Sequence, residues 1–321
     1  MRILMTFLLA LVPLVAAAQT VPRDWQREFP IGDFSRAIID ISEIRSGGPP
    51  RDGIPALSDP EMMPQDREET LDAREPVLVL ALPGQVARAY PFRYLTWHEI
   101  VNDRVGGVPV AVTFCPLCNA AMVFDRRLGD RELTFGVTGR LRFSDMIMYD
   151  SQTESWWQQA LGQAVVGTLA GAQLEQMMSW TLSWAEFRAE YPQGLVMAEP
   201  AAARSYGSNP YVGYDTMNRP FLYNGEDPPF GIHPLERVVR VGNRAWPLER
   251  VRAAGRLVEE GVTLTWVEGQ ASALDTRRIG DGREVGTVRV TDETGAPLVH
   301  DMPFAFAFDA FYPDGDWMIG D

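Results

Sequence analysis

The chain contains no lysine, so all 29 of its basic residues are arginine. This absence excludes Schiff-base chemistry, a lysine general base and a phosphate-binding loop that depends on lysine. Acidic residues number 43, which gives a net charge of −14 and an isoelectric point near 4.7. A chain this acidic, with no run of basic residues, lacks the electrostatic character of a protein that binds nucleic acid or anionic lipid. We therefore expect no nucleic-acid partner.

Long apolar runs are also missing beyond the start of the 321-residue chain. Residues 3–15 are apolar apart from Thr6 and Pro13, and they follow a positively charged start at Arg2. This pattern is typical of a secretory signal peptide, and the run is shorter than the ~20 residues that a membrane span needs. The sequence predicts a signal peptide over residues 1–18 with cleavage near Ala18. It also predicts a periplasmic or secreted protein with no membrane span after cleavage.

The remaining chain divides into three predicted parts. Residues 19–75 are rich in proline, glycine and acidic groups, which favours an extended N-terminal arm. Two later segments resemble each other: residues 88–92 resemble 244–248, and residues 126–130 resemble 277–281. We therefore predict a first half over residues 76–200, and a second, degenerate half over residues 201–321 packed on the first.

Local patterns in both halves favour strands over helices. Short apolar or alternating runs predict strands, and two stretches at helical spacing predict short helices. The predicted strands are 77–82, 86–90, 108–114, 121–127 and 132–137, and the predicted helices are 93–101 and 181–191. The expected fold class is α+β and β-rich, with largely antiparallel sheets in two pseudo-repeated halves and a few short helices.

The chain has two cysteines, and they form one Cys115-Pro116-Leu117-Cys118 motif. Two thiols separated by two residues can hold one metal ion or form a small disulfide. An exported protein meets an oxidising compartment, so an inert structural disulfide is one interpretation and a reversible redox pair is another. The corresponding part of the second half has no cysteine, which favours a functional role for the pair.

A metal centre needs further ligands, and the chain offers three histidines. His98 lies on the predicted helix before the strand that leads to Cys115, so we expect it to be the third ligand. A Cys-Cys-His set with an open position suits copper or zinc. Asp145, Met146, Met148 or Asp150 could supply a fourth group. A cysteine nucleophile would also be possible if His98 lies beside Cys115.

A second candidate surface follows Asp150. Ser155 and Trp156 belong to a Thr-Glu-Ser-Trp-Trp segment that combines hydroxyl and aromatic groups, as carbohydrate- and peptide-binding grooves do. The alternative function is therefore a ligand- or glycan-binding module with a purely structural disulfide. Phosphate-loop, dinucleotide-binding and serine-hydrolase patterns are missing from the sequence, so no nucleotide cofactor is expected.

Several of these segments together resemble a known family. They are Trp97 to Asp103, Val112 to Cys118, Phe135 to Gly139, Met148 to Asp150 and Thr153 to Trp157. The chain from about residue 75 resembles the bacterial family known as domain of unknown function 3179. The resemblance implies that His98, Cys115, Cys118, Asp150, Ser155 and Trp156 are recurring features that cluster in space. It implies no reaction, so the ligand or periplasmic partner protein stays unidentified at this stage.

Overall fold

A computed structural model describes residues 21–320 of the chain. The predicted signal peptide, residues 1–18, lies outside the described residues. Within them, strands outnumber helices, the five α-helices are short, and the sheets are mostly antiparallel. The predicted α+β, β-rich class is therefore confirmed. None of the helices in this part of the chain has the length and apolar character needed to cross a membrane.

The arm adds edge elements to sheets formed by later parts of the chain. Its elements are α1 (Arg23–Glu28), β1 (Ile44–Ser46), β2 (Leu57–Ser58) and β3 (Met62–Pro64). Helix α1 packs Trp25 and the following Phe29 into a small apolar cluster. The arm is thus tied down at several places rather than lying free on the surface.

The next segment contributes two strands to one sheet and, after a short helix, three strands to another, whose last hairpin carries the cysteines at its tip. Its elements are β4 (Pro76–Leu80), β5 (Arg88–Pro91), α2 (Phe92–His98), β6 (Ile100–Val105), β7 (Val108–Cys115) and β8 (Ala120–Asp125). Strand β6 pairs with β7, and β7 with β8, both antiparallel. Almost every residue of β7 and β8 is buried, as expected for strands covered on both faces.

A second sheet is inserted after β8. It is preceded by a small hairpin of β9 (Arg127–Leu128) and β10 (Arg131–Glu132), and its later strands are β11 (Phe135–Arg142), β12 (Asp145–Asp150), β13 (Trp156–Gln158) and β14 (Gln163–Val166). The sheet order is β1-β11-β12-β13-β14. Phe143 and Ser144, both at positive φ, form the two-residue turn between β11 and β12. Such a turn matches the twist of an antiparallel hairpin.

The chain then returns to the first sheet system through β15 (Gln176–Met177), β16 (Trp180–Ser183), α3 (Trp184–Glu190) and β17 (Leu195–Met197). Strand β16 pairs antiparallel with β4, and β17 pairs parallel with β5. Ser183 caps α3 with Glu186 in a reciprocal capping box, and the helix ends before Pro192. The predicted helix 181–191 is therefore confirmed but shorter at both ends, because residues 181–183 belong to β16 and the helix ends at Glu190.

Residues 198–237, which we call the connector, join the two halves. The connector contains two short 3-10 helices, Tyr214–Thr216 and Pro229–Gly231. After it come β18 (Val238–Val241), β19 (Arg244–Pro247), α4 (Leu248–Ala254), β20 (Arg256–Glu259), β21 (Val262–Val267), β22 (Thr287–Asp292), α5 (Ala305–Phe311) and β23 (Asp316–Trp317).

The same order of elements occurs twice. Strand, strand, helix and three strands follow one another from β4 to β8 and again from β18 to β22. Later in each half, a helix leads into a strand that pairs parallel with the second strand, β17 with β5 and β23 with β19. The inserted sheet of β11 to β14 occurs only in the first half of the described chain.

One of the two sequence similarities proves to be misplaced. Residues 88–91 and 244–247 form the matching strands β5 and β19. Residues 126–130 follow β8, whereas residues 277–281 precede β22 and include a 3-10 helix. That second similarity therefore joins different places in the two halves. The residue limits given for the arm and the halves stay predictions.

Candidate functional site

The two cysteines lie at the tip of the β7–β8 hairpin. Cys115 is the last residue of β7 and pairs with Ala120, while Cys118 lies in the turn between the strands. Asn119 closes the turn at φ 53°, a left-handed conformation that asparagine tolerates better than most residues. Both cysteines are buried free thiols, so the disulfide considered from the sequence is not formed.

Asp145 joins the thiols from the tip of the other hairpin. It is the first residue of β12, directly after the β11–β12 turn. The ligand atoms of Cys115, Cys118 and Asp145 all lie within 4.8 Å of one another. The Cys118 thiol donates to Asp145 Oδ1 with a separation of 2.9 Å. Two hairpin tips thus bring two sulfurs and one carboxylate together in a buried position.

The second carboxylate oxygen of Asp145 is held by the last residue of β13 and by the short turn that follows it. Gln158 Nε2 donates to Asp145 Oδ2 over 2.6 Å, and the backbone N–H of Ala160 donates to the same atom over 2.9 Å. These bonds fix the carboxylate with Oδ1 directed to Cys118. The carboxylate is therefore oriented before any ligand arrives, as good metal ligands are.

Burial controls the charge of the cluster. Burial raises the pKa of the Cys115 thiol. Burial also raises the pKa of the Cys118 thiol well above its usual range, and the neighbouring Cys115 and Asp145 add to this effect. Burial also raises the pKa of Asp145. Without a cation the thiols are therefore protonated. A bound cation reverses this effect, because it stabilises the thiolates and the carboxylate together.

His98, predicted as the third ligand, does not join the cluster. Its Nδ1 donates to the carbonyl oxygen of Pro55 over 2.7 Å, and its Nε2 accepts from the Tyr206 hydroxyl over 2.6 Å. Both ring nitrogens are occupied by hydrogen bonds, so neither offers a free lone pair to a metal ion. His98 instead links the arm, α2 and the connector. The structure replaces the expected Cys-Cys-His set with Cys-Cys-Asp.

Asp150 and Ser155 form a turn and not a binding surface. Asp150 Oδ1 accepts from the backbone N–H of Thr153 over 2.7 Å, and Asp150 Oδ2 accepts from Trp157 Nε1 over 2.9 Å. Ser155 Oγ accepts from the N–H of Leu169 over 3.1 Å. Through these hydrogen bonds, Asp150 and Ser155 stabilise the turn and the neighbouring strands of the inserted sheet.

Trp156 and Met148 are core residues. Trp156 is fully buried, and its ring centroid lies 4.5 Å from that of Trp25 on α1. Phe29 and Phe34 also pack against it, which closes the groove expected there. Met148 is fully buried beside Trp157, its partner across β12 and β13. Of the candidate binding residues, only Asp145 belongs to the cluster.

A pocket of about 370 Å³ adjoins the cysteine turn. Leu117, which lies between the two cysteines, and Met146, which follows Asp145, both line it. The connector closes another side with Tyr211 and Tyr214. The Tyr214 hydroxyl donates to the backbone carbonyl of Leu117 over 2.8 Å, which holds the connector against the turn. The pocket therefore reaches the same turn that carries the thiols.

Glu99 is a pocket residue that the sequence interpretation missed. It is 6% exposed and lies at the C-terminal cap of α2, with φ 59° and ψ −32°. Burial raises the pKa of its carboxyl to about 8, and the charge of Asp145 adds to the effect. The Tyr211 hydroxyl donates to Glu99 Oε1 over 3.4 Å. The repeat contained a signal for this residue, because glycine occupies the equivalent cap in the second half.

Comparison with protein families shows a match over most of the chain. The family model described as Protein of unknown function (DUF3179) matches residues 51–315, which include every residue of the cluster and of the pocket except those of the arm before Arg51. No curated protein and no solved structure matches the chain.

Proposed function

Since this chain belongs to the family of proteins of unknown function DUF3179, its function has to be inferred from the site, and we propose that it binds one metal ion. The ligands are the thiolates of Cys115 and Cys118 and the carboxylate of Asp145. The observation that carries the proposal is the grouping of these three buried donor atoms within 4.8 Å of one another. Buried charges are stable in proteins when they are paired or coordinate a metal.

Zinc fits this donor set better than copper. Two thiolates suit either Zn²⁺ or Cu⁺, but the carboxylate is a hard ligand that favours Zn²⁺. Three protein ligands leave one position of a tetrahedral zinc ion for water or for a molecule from the pocket. Zinc there would act as a Lewis acid. Asp145 orients the site, and the burial of Cys115, Cys118 and Asp145 excludes bulk water.

A dithiol redox function is the second candidate, and a separate contact favours it. Cys118 donates its proton to Asp145 Oδ1, so the carboxylate can accept that proton when the thiol reacts. Oxidation of the pair would form the Cys115–Cys118 bond and release two protons. Its two electrons would reduce a disulfide of a partner protein to two thiols.

We propose in addition that the protein is exported to the periplasm. The support is the pattern of residues 1–18, and cell fractionation with an epitope at the C-terminus tests it. The glycan-binding alternative has lost its support, because Trp156 lies beneath Trp25 and Phe34 and not on a groove.

Metal analysis of purified protein tests the proposed function. After zinc loading and desalting, the unaltered protein should retain about one zinc ion per chain, and Cys115→Ser, Cys118→Ser and Asp145→Asn should each weaken zinc binding by at least about tenfold. Asp150→Asn is a matched control, because Asp150 is equally buried but lies outside the cluster. It should retain zinc.

Two results would count against a metal function. One is an unaltered protein that retains no zinc or copper, and the other is equal zinc retention by all four variants. Thiol titration distinguishes the redox function from the metal-binding function. Zinc should protect both thiols from a disulfide reagent, whereas a redox pair without metal would form its disulfide reversibly and cooperatively.

A further inference from the structure

The two halves make the same backbone bend after equivalent helices, but with different residues. Helix α2 is followed by Glu99 at φ 59° and ψ −32°, and α4 is followed by Gly255 at φ 66° and ψ −46°. Glycine adopts a positive φ without steric penalty, whereas a residue with a Cβ atom is strained there. Gly255 is therefore the residue that the backbone alone requires.

Glu99 carries two costs that the second half avoids. Its backbone is strained, and its carboxyl group is buried. The Tyr211 hydroxyl, at 3.4 Å from Oε1, is a weak compensation for that burial. Because the second half forms the same bend without these costs, the Glu99 side chain serves something other than the fold. Glu99 lines the pocket, so its carboxyl group can contact a molecule bound there.

The chemistry of this pocket is mainly apolar. Its walls are formed by the apolar side chains Ile54, Leu117, Val137, Leu141, Met146, Val212, Met217 and Phe221. Glu99 and Arg140 are its charged residues, and the Arg140 guanidinium pairs with Asp24 and Glu28 of α1. No unpaired cation therefore lines this pocket to receive an anionic ligand. Asp145 and the overall charge of −14 also oppose an anion.

We propose that the pocket binds an uncharged, mainly apolar small molecule whose one hydrogen-bonding group contacts the Glu99 carboxyl group. The volume of about 370 Å³ lies in the range of small-molecule sites. Leu117 of the cysteine turn and Met146, which follows Asp145, both line the pocket, so a bound molecule contacts the two segments that carry the proposed metal ligands. Whether the bound molecule is a substrate rests on the proposed metal function, but the binding of the molecule to the pocket does not depend on that function.

Phenylnaphthylamine is a suitable probe, because it is uncharged and apolar, carries one N–H group and becomes fluorescent in apolar surroundings. Its matched control is anilinonaphthalene sulfonate, which has a similar ring system but a negative charge. We expect saturable binding of phenylnaphthylamine, and at least about tenfold weaker binding of the sulfonate. Equal affinity for the two probes would overturn the proposed selectivity, and no binding of phenylnaphthylamine would overturn the pocket.

Two surface variants locate the probe. Val212 lines the pocket and is 57% exposed, so Val212→Asp should fold normally and place a charge at the pocket mouth. Val258 on β20 is 55% exposed and lies outside the pocket, so Val258→Asp is the matched control. The first should weaken phenylnaphthylamine binding by about tenfold or more, and the second should leave it unchanged. Equal effects would show that the probe binds elsewhere.

Variants of Glu99 test the polar contact. Glu99→Leu removes hydrogen bonding at nearly constant size and should weaken phenylnaphthylamine binding about fivefold to tenfold. Glu99→Gln retains an acceptor and should stay within about twofold. If both bind the probe like the unaltered protein, the assignment of Glu99 fails.

Each titration is made with chelator-treated protein and again with zinc-loaded protein. Probe binding without any zinc retention would overturn the proposed function and leave the pocket standing. Zinc retention without probe binding in either form would overturn the pocket and leave the metal site standing.

Discussion

Glu99 and Gly255 occupy equivalent positions after α2 and α4. Substitutions at these two positions can separate the stability cost of the positive φ from the effect of the Glu99 side chain. Glu99→Gly and Glu99→Ala both remove the carboxyl group, and they differ by a single Cβ atom. At φ 59° we expect the glycine variant to be more stable than the alanine variant by about 1 kcal/mol. Urea unfolding monitored by tryptophan fluorescence measures the difference.

The same experiment in the second half provides the control. A Cβ atom at Gly255 would meet open space, so Gly255→Ala changes little besides backbone strain. It should lower the free energy of unfolding by about 1 kcal/mol. If alanine is as stable as glycine at both positions, the two caps are not strained and the comparison between the halves loses its basis.

The ionisation of Glu99 predicts how stability varies with pH. Its pKa in the fold is about 8, above the ordinary value of 4.5, and the groups that face it are Asp145, Cys115 and Tyr211. The folded state therefore holds the proton more tightly than the unfolded chain does. The resulting stability is complete below the ordinary pKa and is lost as the pH rises through about 8.

A Glu99→Gln variant isolates this contribution, because glutamine does not titrate. In metal-free protein, the free energy of unfolding should fall with rising pH by up to about 1.4 kcal/mol per unit more in the unaltered protein than in the variant. Denaturant unfolding at several pH values between the two pKa values measures it. A constant difference across that range would show that Glu99 ionises normally.

At the scale of elements, α2 shows what helical spacing predicts and what it does not. The pattern predicted a helix over 93–101, and the structure has Phe92–His98. The pattern cannot reveal the bend at Glu99, which ends the helix at His98. Nor can it reveal that His98 faces Pro55 of the arm and Tyr206 of the connector. Both contacts come from distant segments, so nearness in sequence to Cys115 was a poor guide to the ligand set.

Because the Tyr206 hydroxyl donates to His98, loss of this hydrogen bond should lower the stability of the fold without changing metal binding. Tyr206→Phe removes the hydroxyl that donates to Nε2 and leaves a buried acceptor without its partner. The free energy of unfolding should fall by about 1–3 kcal/mol. Zinc content should stay unchanged, since His98 lies outside the cluster.

Tyr223→Phe is the control for this prediction, because Tyr223 also lies in the connector but donates only to the nearby carbonyl of Glu226. Its effect should be smaller. A loss of zinc in Tyr206→Phe but not in Tyr223→Phe would restore His98 to the metal site.

For the whole molecule, the sequence predicted the repeat but not the assembly of the site. The matching strands of residues 88–91 and 244–247 were visible because local patterns recur. Asp145 was only one of several candidates for a fourth ligand. It reaches Cys118 because two hairpins, each with its own local turn, pack tip to tip. Side-chain packing between separate sheets decides such a meeting, and no local pattern encodes it.

The second half also supports the cysteine turn directly. The backbone N–H of Phe304 donates to the carbonyl of Cys118 over 2.8 Å, and Asn119 Nδ2 donates to the carbonyl of Met302 over 2.6 Å. Phe304 and Phe306 belong to the same apolar core as Cys115 and Cys118. The half without cysteines is therefore part of the frame that holds the thiols.

This shared frame predicts that a metal bound in one half stabilises both. Zinc at one hundred times its Kd should raise the free energy of unfolding by about 2.7 kcal/mol. Strand β18 is hydrogen-bonded to the segment before Phe304 and shares an apolar cluster with β21. Amides of β18 and of β21 in the second half should therefore exchange more slowly with deuterium, as should those of β7. Hydrogen exchange followed by mass spectrometry measures this segment by segment. Cys118→Ser should show no such protection when zinc is added. Protection restricted to β7, β8 and β12 would mean that the two halves unfold independently, and that the contacts of Phe304 and Asn119 couple them too weakly to matter.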